Sequence, residues 1–367
     1  MTTTHPLLRS LRLRSGTELR NRLALAPLTN AQSGEDGTLH DDEACWLLRR
    51  ARGGFGLTET CAAYVLASGQ GFDGQLGIAD DRHEAAVRPW AAALAATGTC
   101  AVVQLVHGGL RAPRRLTGEQ PVAPWGGYVE QGAKDFEVPR GLSTDEVAAV
   151  ADAFVTAAIR CHRAGFGGVE LHAAHGYLLS QFLSRTMNPR DDGWGGSLPG
   201  RARLLRAVAA RVRVVCPPPF VVGVRLSPED RGNARGLDLD ESLAVASWLA
   251  DDGVDFVHLS LWDAAQNTTK RPEAHAARLF RDSLPAEVAL VAAGGVWTRA
   301  DAERLHDHGA DVVAVGRAAI LDPDWPRHVI EQGHAPVRGP KTPEGLAAVD
   351  VSPRFVSYLR RFGGLVT

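Results

Sequence analysis

Two histidines and a tyrosine, His172, His175 and Tyr177, crowd the stretch VELHAAHGYLLSQFLS, Val169 to Ser184, where a short apolar run empties into a loop. A spacing of three puts both imidazoles on one side of a single helical turn, aimed at a common point. Two N–H groups at one point can bind an oxygen that gains negative charge, or two ring nitrogens can ligate a metal. A phenol of ordinary pKa, about 10, keeps its proton at neutral pH and can deliver it. A metal site would also need a carboxylate or third histidine from another strand end, and Glu59 is the one obvious acidic candidate. A purely structural histidine pair is the plain alternative.

Positioning such a trio requires a scaffold, and the chain alternates short buried runs with longer helical patterns from end to end. The strand expectations are Leu23 to Leu28, Leu57 to Ala63, Cys100 to Val106, Gly168 to Leu171, Val221 to Arg225, Phe256 to Ser260, Val288 to Ala292 and Val312 to Val315. Helices are expected at Asp41 to Arg52, Ala85 to Ala96, Thr144 to Ala164, Ser197 to Val214, Leu239 to Asp252, Glu273 to Leu284, Arg299 to His308 and Asp324 to Glu331. Ser143 with Glu146, and Thr298 with Asp301, have the spacing that satisfies orphan amides at a helix start. Eight strand–helix units predict a closed (β/α)8 TIM barrel of the α/β class. A doubly wound sheet is disfavoured, because no G-x-G-x-x-G follows the first strand, LALAPL.

The barrel is expected over residues 1–335 as a single domain, with a C-terminal tail over 336–367 whose final stretch SYLRRFGGLVT is read as solvated. The Gly- and Pro-rich segment from His107 to Leu142 is too long for a plain connection and is read as a lid after strand 3, with Arg111 its expected polar contact to substrate.

Catalytic groups of such a barrel project from the carboxyl ends of its strands, so one pocket collects Pro27, Leu28 and Thr29, then Glu59 and Thr60, then Gln104 and His107, then the histidine–tyrosine trio. Arg225, Ser260, Gly294, Gly295, Gly316 and Arg317 follow from the later strands. The glycine turns AAGGV and AVGRA let backbone amides approach a ligand closely, with Arg317 beside the second, which suits a phosphate. Arg225 puts a permanent charge in the mouth, either for an anionic or electron-rich ligand or in a buried ion pair. Together these residues outline a pocket for a large phosphorylated cofactor.

The formal net charge of −2 gives no field to hold a nucleic acid. The five cysteines are scattered, without a C-x-x-C pair, which argues against a disulfide framework or a metal cluster and fits a reducing cytoplasm. No stretch has the apolar length of a membrane span, and the Arg-rich amino terminus is read as a cap on the bottom of the fold.

The ordered motifs NRLALAPLT, GFGLTET, VVQLVHGG, GFGGVELHAAHGYLLSQFLS, NPRDDGWGGS followed by GR, VGVRLS and VGRAAILDPDWP resemble those of the Old Yellow Enzyme family of FMN-dependent NAD(P)H oxidoreductases, over roughly Pro6 to Pro326. The resemblance implies a TIM barrel holding FMN noncovalently, NADPH or NADH as reductant, and reduction of the C=C bond of a small enone-type substrate. It implies that Pro27, Leu28, Thr29 and Thr60 line the flavin ring, that Gln104 and Arg225 meet its polar edge, and that Gly295, Gly316 and Arg317, beside Gly294, receive its phosphate. It further implies that His172 and His175 grip the substrate's carbonyl oxygen and that Tyr177 is the proton donor.

Some positions depart from the family pattern. Thr29 stands where one branch has cysteine and another threonine, Ala31 leaves no tyrosine just beyond it, and Trp194 replaces the usual tyrosine of the G-G-S turn. Arg360 and Arg361 invite comparison with relatives whose C-terminal residues enter a neighbour's active site, which would make a homo-oligomer functional. Two other readings stay open: a metal-dependent barrel hydrolase built on His172 and His175, and a flavin-binding barrel without catalysis.

Overall fold

A computed structural model of the chain describes residues 5–129, 137–230 and 236–367. The part of the expected lid at 130–136 lies outside the described residues.

Eight parallel strands close a barrel: β1 (Leu23–Leu25), β2 (Leu57–Glu59), β3 (Cys100–Val106), β4 (Gly168–Ala173), β5 (Val221–Leu226), β6 (Phe256–Ser260), β7 (Ala289–Ala293) and β8 (Val312–Val315). The ring closes because β8 pairs with β1, Val313 opposite Leu23, while Leu57 of β2 stands opposite both Ala24 and Cys100. Such strands are buried on both faces, which is why they read as apolar runs.

Alternation sorts their side chains. Val169, Leu171 and Ala173 of β4 join the large outer core under the helices, which leaves Glu170 and His172 facing the barrel interior. By the same alternation Glu59, Gln104, Arg225 and His258 face inward, above an interior apolar cluster that includes Leu57, Val102, Val221 and Phe256. A short hairpin, Leu11–Arg12 with Glu18–Leu19, carries Leu13 and Leu19 onto that cluster, so the amino-terminal segment does cap the barrel's bottom. Buried Asp255 fixes it there, accepting from the backbone N–H of Ser15 at 2.6 Å and of Val222 at 2.8 Å.

Seven barrel helices follow the expected order: α1 (Asp41–Arg52), α2 (Asp81–Ala95), α3 (Thr144–Ala164), α4 (Leu198–Val215), α5 (Leu239–Asp251), α6 (Ala276–Ser283) and α7 (Arg299–Asp307). In α3 the apolar positions Val147, Val150, Ala151, Phe154, Ala158 and Cys161 recur every three or four residues and face the strands. The Ser143–Glu146 capping box starts it and Gly165, at φ 94°, ends it. Phe154 is fully buried, and its truncation to alanine would cost about 3–5 kcal/mol. Helix α2 starts four residues before its expected start, because Asp80 caps it reciprocally with His83. The last expected helix is a single π-type stretch, Pro326–Glu331. Strand 2 is shorter than expected: its last bond to β3 runs from the Thr60 N–H to the Val102 carbonyl at 3.0 Å, and the chain pairs again at Ala63–Tyr64.

The C-terminal segment packs on the barrel before it reaches solvent: of SYLRRFGGLVT, Leu359 and Leu365 are buried while residues 360–364 are exposed. Helix Pro353–Leu359 buries Phe355, whose ring meets Trp46 of α1 edge-on at 5.6 Å. Ser352 donates to Gln32 Oε1 at 2.6 Å, and Lys341 Nζ donates to the Leu321 carbonyl at 2.6 Å. Among the described residues no helix is long and apolar enough to cross a membrane.

Candidate active site

The mouth of the barrel holds a cavity of about 420 Å³ and, beside it, a hollow of about 160 Å³; the two share Pro27, Leu28, Arg225, Trp297 and Arg317 in their walls. The larger one gathers Thr29, Gln104, His172, His175 and Tyr177. The smaller one gathers Gly294, Gly295 and Gly316 at the ends of β7 and β8. A third cavity, about 440 Å³, opens outward from His175 and Ser260 and takes Arg111 into its wall.

His172, at the end of β4, centres the trio. Its ring lies 4.9 Å from that of His175 and 4.9 Å from that of Tyr177, both edge-on. The Ala174 N–H donates to His172 Nδ1 at 3.4 Å, which leaves Nε2 to carry the ring proton. Burial, with His175 and Arg225 adding positive charge nearby, drives the His172 pKa well down, so the ring is a neutral donor.

His175 sits at φ 60° and Gly176 at φ 72°, a left-handed pair that turns the chain sharply out of the strand. For histidine this conformation is strained, and it brings Nε2 within 2.5 Å of Ser260 Oγ on β6. Tyr177 then caps the short helix Leu178–Leu183, and burial raises its pKa, which keeps the phenol protonated.

Arg225 is 7% exposed and donates to Ser260 Oγ at 3.1 Å, while its Nε meets no partner. A guanidinium that lines both cavities and has one N–H group unpaired suits an anionic or electron-rich ligand. Gln104 donates its amide N–H to Glu170 at 2.7 Å, leaving the amide oxygen as the end available to a ligand. Gly294 has no room for a Cβ, which would lie 2.9 Å from the Leu261 carbonyl oxygen, and Gly295 at φ 67° faces open space. An acceptor-seeking arginine, an amide acceptor and a glycine-lined hollow beside Arg317 fit a polar ring joined to a phosphate. These are the groups FMN requires.

Thr60 is not brought to the cavity: its hydroxyl donates to the Cys61 carbonyl at 2.7 Å, and Ala62 lines the wall in its place. The reason is alternation: with Glu59 facing inward, the Thr60 side chain faces the other way, while its N–H still donates to the Val102 carbonyl at 3.0 Å. His107 is also buried, its Nδ1 accepting from the Gly109 N–H at 3.0 Å, and burial lowers its pKa to about 4. Sequence reasoning missed Trp297 and Tyr358. It also missed a carboxylate–imidazole layer beneath the cavity, Glu170 and His258 with Glu59, although the two-residue alternation from His172 and Ser260 points to it.

Among the described residues, three-ligand groups form at Glu59, Glu170 and His258 and at Asp322, Asp324 and His328; neither includes His172 or His175. Glu59 therefore joins a different imidazole from the pair it was matched with.

The model of the NADH:flavin oxidoreductase / NADH oxidase family matches residues 6–335. Over 326 residues the chain is 34% identical to the probable NADH-dependent flavin oxidoreductase YqiG of Bacillus subtilis, covering 87% of this chain and 86% of that one. The Old Yellow Enzyme homologue of Zymomonas mobilis superposes with a TM-score of 0.79 at 28% identity, covering 95% and 99% of the two chains. Morphinone reductase in complex with tetrahydroNAD gives a TM-score of 0.79 at 29% identity over 94% of each chain.

Proposed function

The chain belongs to the NADH:flavin oxidoreductase / NADH oxidase family and is an FMN-dependent NAD(P)H oxidoreductase of the Old Yellow Enzyme kind; from that premise we propose that it reduces the C=C bond of α,β-unsaturated carbonyl compounds. The observation that carries this reading is the convergence of two imidazoles and one protonated phenol on a single cavity wall.

Arg225 and Gln104 would hold the polar edge of the FMN ring, Pro27, Leu28, Thr29 and Ala62 its flanks, and Gly294, Gly295, Gly316 and Arg317 its phosphate. Bound there, FMN supplies the hydride that passes from NAD(P)H to the substrate's β-carbon. His172 presents a neutral Nε2–H to the carbonyl oxygen and His175 presents the second donor. Donors aimed at that oxygen are worth most as it gains charge, so they lower the barrier rather than merely bind substrate. Tyr177 delivers a proton to the α-carbon.

Arg111 and the segment around it are proposed to act as a lid over the outer cavity and to contact the far end of the substrate. Residues 336–367 are proposed as an integral part of the barrel domain. An absorption spectrum of the pure protein, followed by anaerobic mixing of the NAD(P)H-reduced form with cyclohexenone, tests the reading. Reoxidation of the flavin with formation of cyclohexanone is expected; a flavin that stays reduced in the enone's presence overturns it.

A further inference from the structure

Below the cavity floor, two residues before His172 on β4 and before Ser260 on β6, lies a layer of ionisable groups. Glu59, Glu170 and His258 are each 0% exposed. Glu170 accepts from Gln104 Nε2 at 2.7 Å through one oxygen and from His258 Nδ1 at 2.7 Å through the other. Glu59 Oε1 lies 3.5 Å from the same His258 nitrogen, and neither Glu59 oxygen accepts a hydrogen bond. Two carboxylates this close and this dry cannot both be ionised. Glu170 owns the donors, so it holds the charge; Glu59, raised far up by burial and by Glu170's charge, is the neutral acid. Burial lowers His258, so it is a neutral ring that donates from Nδ1.

We propose that the Glu59–Glu170–His258 cluster positions the two polar groups of the cavity floor, Gln104 and Arg225, and through them sets how much more tightly the site binds reduced than oxidised FMN. Glu170 does this in two ways. By taking the Gln104 N–H it fixes which end of that amide a ligand meets. By carrying one negative charge it offsets Arg225, whose register neighbours are His172 and His258. A bound metal is a poorer occupant of the cluster, because the Gln104 N–H already points at Glu170 and Arg225's charge acts on both carboxyls.

The proposal rests on the flavin reading, and the experiment separates the two. Wild-type protein, Glu59→Gln, Glu170→Gln and Glu170→Asp are compared by fluorescence titration with FMN and by dye-equilibrated midpoint potential. Wild-type protein that binds no FMN fails the flavin reading itself. Glu170→Gln leaves Arg225 unbalanced and is expected to favour reduced over oxidised FMN by about tenfold, an upward shift of about 30 mV for a two-electron couple. Glu170→Asp keeps the charge and should undo most of that shift. Glu59→Gln replaces a neutral acid by a neutral amide and should leave the ratio within about twofold of wild type. An unchanged ratio in FMN-loaded Glu170→Gln overturns the proposal, as does a tenfold change in Glu59→Gln or one equivalent of metal in the purified protein. Should Glu170→Gln fail to fold, Glu59→Gln carries the test alone: an unchanged ratio supports the charge assignment and a tenfold change refutes it.

Discussion

Strands β3 to β6 reach the cavities with Gln104, His172, Arg225 and Ser260, while β7, β8 and the end of β1 reach them with Gly294, Gly295, Gly316 and Pro27. One side of the mouth is built of side chains that titrate and donate. The other is built of backbone and shape, with Arg317 as its one cation among the described residues of the smaller hollow's far wall. The difference teaches where rate and affinity can be altered separately. A side chain on the first side can be exchanged for an isostere that keeps its volume and loses its proton. On the second side a substitution first changes whether the ligand fits.

The largest effect expected from this division is on the side-chain half. Tyr177→Phe removes one hydroxyl and should slow enone reduction by about 10²- to 10⁴-fold while leaving FMN reduction by NAD(P)H nearly intact. Rapid mixing of each half-reaction checks it, and equal slowing of both would remove Tyr177 as the proton donor. The pH profile sharpens the same point. His172 is held below its ordinary 6.5 by burial and Tyr177 above its ordinary 10.0 by burial, so both stay in their working forms throughout that interval. The oxidative half-reaction should therefore be flat between those two values, and a break inside them would assign another group. The stability linkage has a definite sign: a buried imidazole with a lowered pKa takes up no proton when the unfolded chain does. Burial of His172 and His107 therefore costs stability as pH falls from about 6.5 toward the value of about 4 at His107, and Tm should fall across that window.

The backbone half should answer differently. Arg317→Ala is expected to weaken FMN binding by about 1.5–3 kcal/mol, the worth of a charge-assisted contact, with turnover per bound flavin little changed. Equilibrium dialysis and rates normalised to flavin content measure the two separately; a loss of rate without a loss of affinity would collapse the distinction. Gly294→Ala should do less: its Cβ would meet the Leu261 carbonyl at 2.9 Å and the Ala264 nitrogen at 3.2 Å, an overpacking cost of about 1–3 kcal/mol. Calorimetry of the flavin-free protein should show a Tm lowered by a few degrees.

The two sides also differ in how much the sequence revealed. Strand alternation and the H-x-x-H spacing place His172, His175 and Tyr177, because that signal is local and repeats with the strand's period. The glycine turns were legible for the same reason. Thr60 lines no cavity among the described residues because of alternation: with Glu59 inward, residue 60 faces away from the interior although its N–H still bonds the Val102 carbonyl. His258 was within reach, since it precedes Ser260 by two on one strand and so faces the same way. The C-terminal helix was not. Contacts between residues some three hundred positions apart, Phe355 on Trp46 and Ser352 on Gln32, bring it to the mouth.

That helix supplies a second phenol, and its removal should give the smallest effect. Tyr358 lines the same cavity as Tyr177 and lies close enough for their charges to interact. Burial lifts its pKa while the Thr29 side chain, at hydrogen-bonding reach, pulls it back, and Arg361 stands 5.5 Å over its ring. The strand 1 end has Ala31 and no tyrosine of its own, so this phenol comes from the opposite terminus of the chain. Among the described residues the ring contacts of Tyr358 are with Phe355 and Phe362 and not with the imidazoles, and Thr29 beside it belongs to the half of the mouth that works by shape. It should therefore hold substrate without delivering a proton. Tyr358→Phe removes a neutral hydrogen bond of about 0.5–1.5 kcal/mol, which predicts a few-fold rise in KM for cyclohexenone with kcat unchanged. Steady-state kinetics beside Tyr177→Phe decide the matter. Should Tyr358→Phe lower kcat as steeply as Tyr177→Phe, protons enter from both sides of the mouth and the division between a chemical half and a fitting half fails.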